Sequence, residues 1–456
     1  MKIILLSGGS GKRLWPMSND IRSKQFLKVL PKTDQTYESM LQRVWNQLGD
    51  IGLQNDTIVC ASRSQVDAIT YQVGNVQIVE EPERRDTFPA IALSSLYLRD
   101  IVGCDVNEVI VVLPVDHFVE IDYFKHVMEL PTLLTESKSN LFLMGVTPDH
   151  PACKFGYILT EESNEQSHVG FKVKGFIEKP SEELAKKLIG LGALWNCGVF
   201  CFRLDYLVNH LSSKQLPTHF YNFREAYPQI EKISFDYEIV EKEKSIRAIS
   251  YSGEWNDLGT WDALSNRVEH SMIGLGTSVD CDRSMVINEL TIPLVAIGIK
   301  DAVIVATPDG ILVSDKARSE SLKSVIGDFV GRPMFEERRW GLYRVLDFQR
   351  LADGRAVLTK WIEMSPDSNI SYQRHRLRSE VWTIVEGEGE VILDDKFFSV
   401  LPGDVVRITA FQWHGVRAIN SLKFIEVQTG TELVEEDIER KSMNWADVEV
   451  ATGIQD

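Results

Sequence analysis

Three groups of residues in this 456-residue chain are of types and spacings that handle phosphate and metal ions. The first is at the amino end, where Ser7-Gly8-Gly9-Ser10-Gly11 runs directly into Lys12 and Arg13, with Lys24 farther on. Glycine has no Cβ and tolerates positive φ, so main-chain N–H groups of such a turn close around a phosphate while the cations supply counter-charge. The second is Asp116, which follows the apolar run Val109 to Leu113. The third comprises Gln373, His375, Glu380 and His414. Gln373 and His375 are two residues apart, which places both side chains on one face of a strand and makes the group a candidate metal constellation.

The elements that position these residues follow from hydrophobic patterning. Ile3 to Leu6 is a short apolar run of the kind a buried parallel strand shows, and it stops at the glycine turn. Met40, Leu41, Val44 and Leu48 have helical spacing. Thr57 to Cys60, Val76 to Val79, Val109 to Leu113 and Leu141 to Val146 read as strands, and Ala90 to Leu98 as a helix. Alternating β and α predicts an open α/β sheet, in which ligands bind beyond the carboxyl ends of the strands, where both the glycine turn and Asp116 lie.

From about Gly274 to Phe329 the text changes to short β-rich pieces separated by turns such as Thr307-Pro308-Asp309-Gly310. Beyond Arg332 regular short strands predominate, among them Ala356 to Ile362, Val381 to Val385 and Lys423 to Val427, a pattern that predicts an antiparallel barrel or jelly roll. The expected organisation is therefore residues 1–268, 269–330 and 331–456.

Composition excludes several classes of function. A formal net charge of −17 opposes binding to nucleic acid, which depends on lysine and arginine displacing counterions. Small phosphorylated ligands remain, provided a local cationic pocket meets them. The six cysteines form no paired metal-ligand clusters; Cys197 and Cys201, in one apolar run, are expected to be buried free thiols, and a reducing, cytoplasmic setting is expected. No apolar run approaches the roughly eighteen residues needed to span a bilayer, so no membrane role is expected.

Two common phosphate motifs do not fit the opening turn. A Walker loop needs Ser or Thr after Gly11-Lys12 but meets Arg13, and a dinucleotide fingerprint needs a third glycine where Leu14 stands. The stretch resembles instead the signature of sugar-1-phosphate nucleotidyltransferases, Gly-Gly-x-Gly-x-Arg-Leu-x-Pro followed by Lys, matched by Gly8, Gly9, Gly11, Arg13, Leu14, Pro16 and Lys24. The variant with Leu-Trp-Pro and a later Lys-Gln-Phe is similar to the mannose-1-phosphate guanylyltransferase branch in particular. Further matches follow in order: Glu81 to Ala92, Pro114 to His117, Gly156-Tyr157-Ile158, Phe176 to Pro180, Trp195 to Phe200, Ser234 to Tyr237 and Trp255 to Trp261.

The resemblance implies a Rossmann-like domain with a mixed, mainly parallel sheet, then a small β-helix-like segment that serves as an oligomer contact in relatives. It implies a dimer acting on GTP and a sugar 1-phosphate. It implies Arg13, Lys24, Asp116 and Asp257 as the catalytic set, with Mg²⁺ on Asp116 and Asp257. It places Gly8, Gly9, Gly11, Arg13, Arg85, Asp86 and Pro89 around the nucleotide, and Gly156, Glu178, Lys179 and Asn196 around the sugar phosphate. The chain departs from the family pattern at Asp86, where relatives carry Asn, and at Lys154-Phe155, where they carry Gly-Tyr. A carboxylate at position 86 is unfavourable beside a triphosphate unless Arg84 or Arg85 offsets it.

The C-terminal constellation resembles the two cupin motifs, and the set Gln373, His375, Glu380 and His414 is similar to the one with which phosphomannose isomerases hold Zn²⁺. Arg376, Leu377 and Val381 stand where those relatives have further histidines. Losing imidazoles removes acid/base groups for moving a proton between C1 and C2 of a sugar. Metal binding and isomerase activity are therefore separate expectations here, as is a module that only regulates or assembles the enzyme.

Overall fold

The computed structural model describes residues 1–9, 12–19, 21–161, 169–267, 272–327, 331–434 and 437–452. The chain divides into two compact units, one of residues 1–14, 23–66 and 72–269, the other of residues 15–22, 67–71 and 270–456.

The first unit is built on a nine-stranded sheet: β1 (Lys2–Leu6), β2 (Thr57–Ser62), β3 (Gln77–Glu81), β4 (Val109–Pro114), β5 (Leu141–Val146), β6 (Tyr157–Thr160), β7 (Phe171–Ile177), β8 (Leu194–Arg203) and β9 (Ile246–Tyr251), in the spatial order β3-β2-β1-β4-β8-β5-β9-β7-β6. Strands β3, β2, β1 and β4 are mutually parallel, and the apolar runs of β2, β1 and β4 are buried on both faces. The second half differs from the expectation of a mainly parallel sheet. There β8 runs antiparallel to both β4 and β5, and β6, β7 and β9 are joined by antiparallel pairings, leaving only β5 and β9 parallel. The carboxyl ends of β1 and β4 adjoin in register, Leu6 opposite Pro114, so the glycine turn and Asp116 leave the sheet side by side.

Two elements begin or end away from where apolar patterning alone puts them. The helix expected from Ala90 begins at Thr87, because the side chain of Asp86 accepts a hydrogen bond from Thr87 N and caps it. Strand β3 continues through Glu80 and Glu81, because Tyr227 donates its hydroxyl to the buried Glu81 carboxylate at 2.7 Å.

In the second unit, Met272–Gly274, Met285–Asn288 and Ala302–Thr307 form parallel rungs, as do Gly276–Val279 and Leu294–Ile297 in a separate ladder. Residues 335–442 form two antiparallel sheets of six and five strands. Ala356–Met364 and Leu422–Gly430 bury every second residue, the period-two pattern of strands with one face on a core of Leu358, Ile362, Trp382 and Phe424. Among the described residues no helix is long and apolar enough to cross a membrane.

Candidate active site

The glycine turn is fixed from behind by polar side chains. Gln25 donates to Ser7 O at 2.7 Å, Gln65 donates to Ser23 Oγ, and Ser23 Oγ donates to Gly9 O. Gly9 has φ of 118°, a conformation that favours glycine, and no atom lies where its Cβ would be, so backbone freedom rather than crowding calls for the residue. Gly8 and Gly9 line a cavity of about 450 Å³ together with Glu81, Arg84, Arg85 and Asp116, a size suited to a small ligand. Asp86 lines it as well. Pro89 does not; it is buried in the first turn of its helix, and the cavity meets Thr87 and Ala90 instead. Arg13 is exposed on the short turn Lys12–Leu14 and is not among the lining residues, while Gly11 lies outside the described residues.

Asp116 and Asp257, far apart in sequence, meet because a short ribbon joins them. His117–Val119 pairs antiparallel with Trp255–Asp257, setting Asp257 opposite His117. Lys24 Nζ then lies 2.7 Å from Asp116 and 3.4 Å from Asp257. Burial alone would raise both carboxyls, but the Lys24 ammonium outweighs it: Asp116 is held far below the usual carboxylate range and Asp257 below it. Burial lowers Lys24 in turn, and the two carboxylates more than reverse this. Two ionised carboxylates converging on one cation present the hard oxygen donors that a magnesium-like ion needs, so the donor set fits that ion.

The residues expected around the sugar also converge. Asn196 N donates to Gly156 O at 2.8 Å, and Lys179 N donates to Phe155 O at 3.2 Å. Lys179 Nζ sits 2.6 Å from Glu178. A Cβ on Gly156 would strike the Glu178 carboxylate and the Phe176 ring, so this close approach requires glycine. Phe155 packs 5.0 Å from Trp195 and 5.0 Å from Trp255, and Trp255 lies 4.8 Å from His117, a wall of rings running between the Asn196 side and the carboxylate pair.

Three residues without a role from sequence belong to this geometry. Asp236 accepts a hydrogen bond from Asn196 Nδ2 at 2.6 Å, and burial, then the neighbouring Glu178, push its carboxyl up to about 7. Glu81 lines the cavity as a buried acid, raised by burial. Lys154 Nζ lies 3.5 Å from Asp257. Ser234 to Glu238 and Lys154-Phe155 are both legible as motif positions, but their partners depend on folding.

In the second unit, His375, Glu380 and His414 bring one ligand atom each to within 4.8 Å of one another. His414 Nδ1 is 2.9 Å from Gln412 O, and a carbonyl only accepts, so Nδ1 carries the proton and Nε2 keeps its lone pair. That Nε2 is buried without a hydrogen-bond donor and faces Glu380 at 3.7 Å. Two acceptors turned toward each other in the interior fit a metal ion between them. Gln373 Nε2 adjoins His375 Nε2 at 3.4 Å, and the Arg378 guanidinium contacts both Glu380 and His375. Against burial, these cationic and imidazole neighbours hold Glu380 well below the carboxylate range; Glu426, by contrast, is pushed up to about 8 by burial and then by Glu380. The cavity over these groups is also lined by Arg338, Arg339, Lys360 and Arg440.

Residues 2–271 match the family of nucleotidyl transferases, and residues 334–442 match the mannose-6-phosphate isomerase C-terminal family. The alginate biosynthesis protein AlgA of Pseudomonas aeruginosa is 29% identical, over 96% of this chain and 95% of its own. The mannose-1-phosphate guanylyltransferase RfbM of Salmonella typhimurium is 28% identical over 96% of each. The crystal structure of mannose-1-phosphate geranyltransferase from Thermus thermophilus superimposes with a TM-score of 0.61 at 25% identity, over 72% of this chain and 98% of that one. With its glycine turn, converging carboxylates and extended match, the chain belongs to the nucleotidyl transferase family and carries a C-terminal domain similar to that of mannose-6-phosphate isomerases.

Proposed function

We propose that this protein is a mannose-1-phosphate guanylyltransferase, joining GTP and mannose 1-phosphate to give GDP-mannose and pyrophosphate. The observation that carries the reading is the Lys24 ammonium shared by Asp116 and Asp257 beside a cavity lined by Gly8 and Gly9. An oxygen of the sugar phosphate attacks the α-phosphorus of the nucleotide. The new P–O bond replaces the α–β anhydride bond, whose electron pair leaves with pyrophosphate. The attacking oxygen is already anionic, so the step needs no base and no covalent enzyme intermediate.

Asp116 and Asp257 would hold Mg²⁺, which when bound offsets negative charge on the phosphate oxygens. Lys24 adds fixed positive charge, the N–H groups of the glycine turn meet the polyphosphate, and Arg13, exposed beside that turn, adds its charge by turning toward the bound polyphosphate. Glu178, Asn196 and Gly156 orient the sugar, and Lys179 meets its phosphate. The mannose-1-phosphate guanylyltransferase of Salmonella typhimurium, 28% identical, supports GTP and mannose 1-phosphate as the substrate pair. A matrix of four nucleoside triphosphates against several sugar 1-phosphates tests it: pyrophosphate release greatest with GTP and mannose 1-phosphate is expected, and a clear preference for another pair would replace the name.

The inward-facing His375, Glu380 and His414 favour a second, compatible reading, in which the C-terminal domain holds Zn²⁺ with Gln373 and isomerises mannose 6-phosphate. An empty domain by metal analysis, with no conversion of fructose 6-phosphate, would remove it and leave a regulatory or assembly role. We further infer a homodimer in the cytoplasm. The exposed Val295, Ile297, Ile311 and Val313 of the β-rich segment, and six cysteines free of disulfides, suit that setting. Light scattering of the full chain at a monomer mass would remove the dimer.

A further inference from the structure

Asp257 is held by two different ammonium groups. Its Oδ1 faces Lys24 at 3.4 Å and its Oδ2 faces Lys154 at 3.5 Å. Lys24 also serves Asp116, so the two carboxylates are already balanced by two lysines. A divalent ion reaching Asp257 competes with one of them for its oxygens.

The two lysines are not equally free to leave. The Lys24 side chain is 18% exposed and wedged between both acids, whereas Lys154 is 41% exposed and contacts a single carboxylate. Lys154 also lies over the Phe155 ring, 4.8 Å from its centroid, on a stem of four rotatable bonds. It is two residues from Gly156, at the boundary between the carboxylate pair and the groups proposed to orient the sugar phosphate.

Resting on the nucleotidyl-transfer reading of this site, we propose that Lys154 is a displaceable counter-cation of Asp257. It weakens divalent-metal binding to the nucleotide-free site, so that the metal loads together with a polyphosphate rather than ahead of it. Once released, the ammonium is left beside the phosphates whose arrival displaced it, and charge attraction there compensates for its separation from Asp257.

Mn²⁺ titration of the full-length, nucleotide-free protein, followed by the loss of the free-ion paramagnetic signal, tests this without any turnover. Lys154→Gly and Lys154→Gln should bind Mn²⁺ roughly tenfold more tightly than wild type, the size of effect one close counter-charge exerts on a carboxylate. Lys154→Arg should behave as wild type. In an Asp257→Ala background Lys154→Gly should change nothing, which separates this site from ions held by His375, Glu380 and His414. With Mn²⁺ supplied as its tripolyphosphate complex, and binding followed by the protein-dependent change in water-proton relaxation, the difference between wild type and Lys154→Gly should shrink to about twofold.

Equal Mn²⁺ affinity in wild type, Lys154→Gly and Lys154→Gln would overturn the proposal. A gain that persists without Asp257, or a difference undiminished by tripolyphosphate, would do so as well. Thermal melts of the variants matching wild type exclude misfolding as the cause of a change. If the substrate matrix yields no transfer with any pair, the functional reading fails while the Mn²⁺ titration still decides the role of Lys154.

Discussion

Asp116 and Asp257 are partly open to solvent and each faces an ammonium group, whereas Glu380 is buried between two imidazoles, one of which leaves its Nε2 without a donor. The first pair is neutralised by the protein's own cations and can exchange them for a ligand. The second set is closed in by neighbouring strands, His375 on Asn369–His375 and His414 on His414–Ala418, paired through Gln373 and His414. Mobile lysine counter-charge suits a site that binds and releases polyphosphate at each turnover. Buried nitrogen and oxygen donors, themselves oriented by hydrogen bonds, suit an ion that stays. The same chain thus contains two candidate metal sites whose chemistries can be separated by mutation.

The largest effect expected within this comparison is at Lys24. Lys24→Met leaves two carboxylates facing each other without their shared cation, and pyrophosphate release should fall roughly a hundred- to thousandfold, with metal binding at His375, Glu380 and His414 unchanged. The converse is His414→Ala. Mass-spectrometric metal analysis should show bound ion falling from about one equivalent to near zero, while nucleotidyl transfer stays within about twofold of wild type. Loss of both properties in either variant would mean the sites are not independent.

Gly156→Ala sharpens the boundary between the sugar groups and the carboxylates. Its methyl would collide with Glu178 and Phe176, so KM for the sugar 1-phosphate should rise about tenfold while KM for the nucleotide barely moves. A smaller effect is expected at Asp236. Its folded carboxyl, near 7, lies above its unfolded value, so its contribution to stability is complete at low pH and is lost as pH rises through about 7. Asp236→Asn abolishes that loss. Between about pH 5 and pH 8 its melting temperature should gain on wild type by roughly 3 °C, and parallel curves would show that Asp236 does not titrate there.

Much of this arrangement is legible in the sequence, and the part that is not has a common cause. The apolar runs Ile3–Leu6 and Val109–Leu113 identify central buried strands without help from any motif, and the ends of those strands locate the glycine turn and Asp116. The C-terminal strands are visible through their alternation. Asp257 is recoverable only through family resemblance, because what brings it to Asp116 is a three-residue ribbon too short to show a pattern. Lys154 and Asp236 stand at motif positions, but nothing local names their partners. Each acquires its role from one long-range contact, to Asp257 and Asn196 respectively, and a charged residue in a loop reads as solvated until that partner is placed. The antiparallel insertion of β8 between β4 and β5 escapes a period-based reading for the same reason, since a fully buried strand looks alike in either direction.

Pyrophosphate release from GTP and mannose 1-phosphate by Asp257→Asn, compared with wild type at saturating Mg²⁺, bears most directly on the claim that the converging carboxylates are the transfer site. The substitution keeps size and removes charge. A rate reduced by about a thousandfold, in a protein that melts as wild type does, is the predicted result. An undiminished rate would contradict it, and the site of transfer would then lie elsewhere.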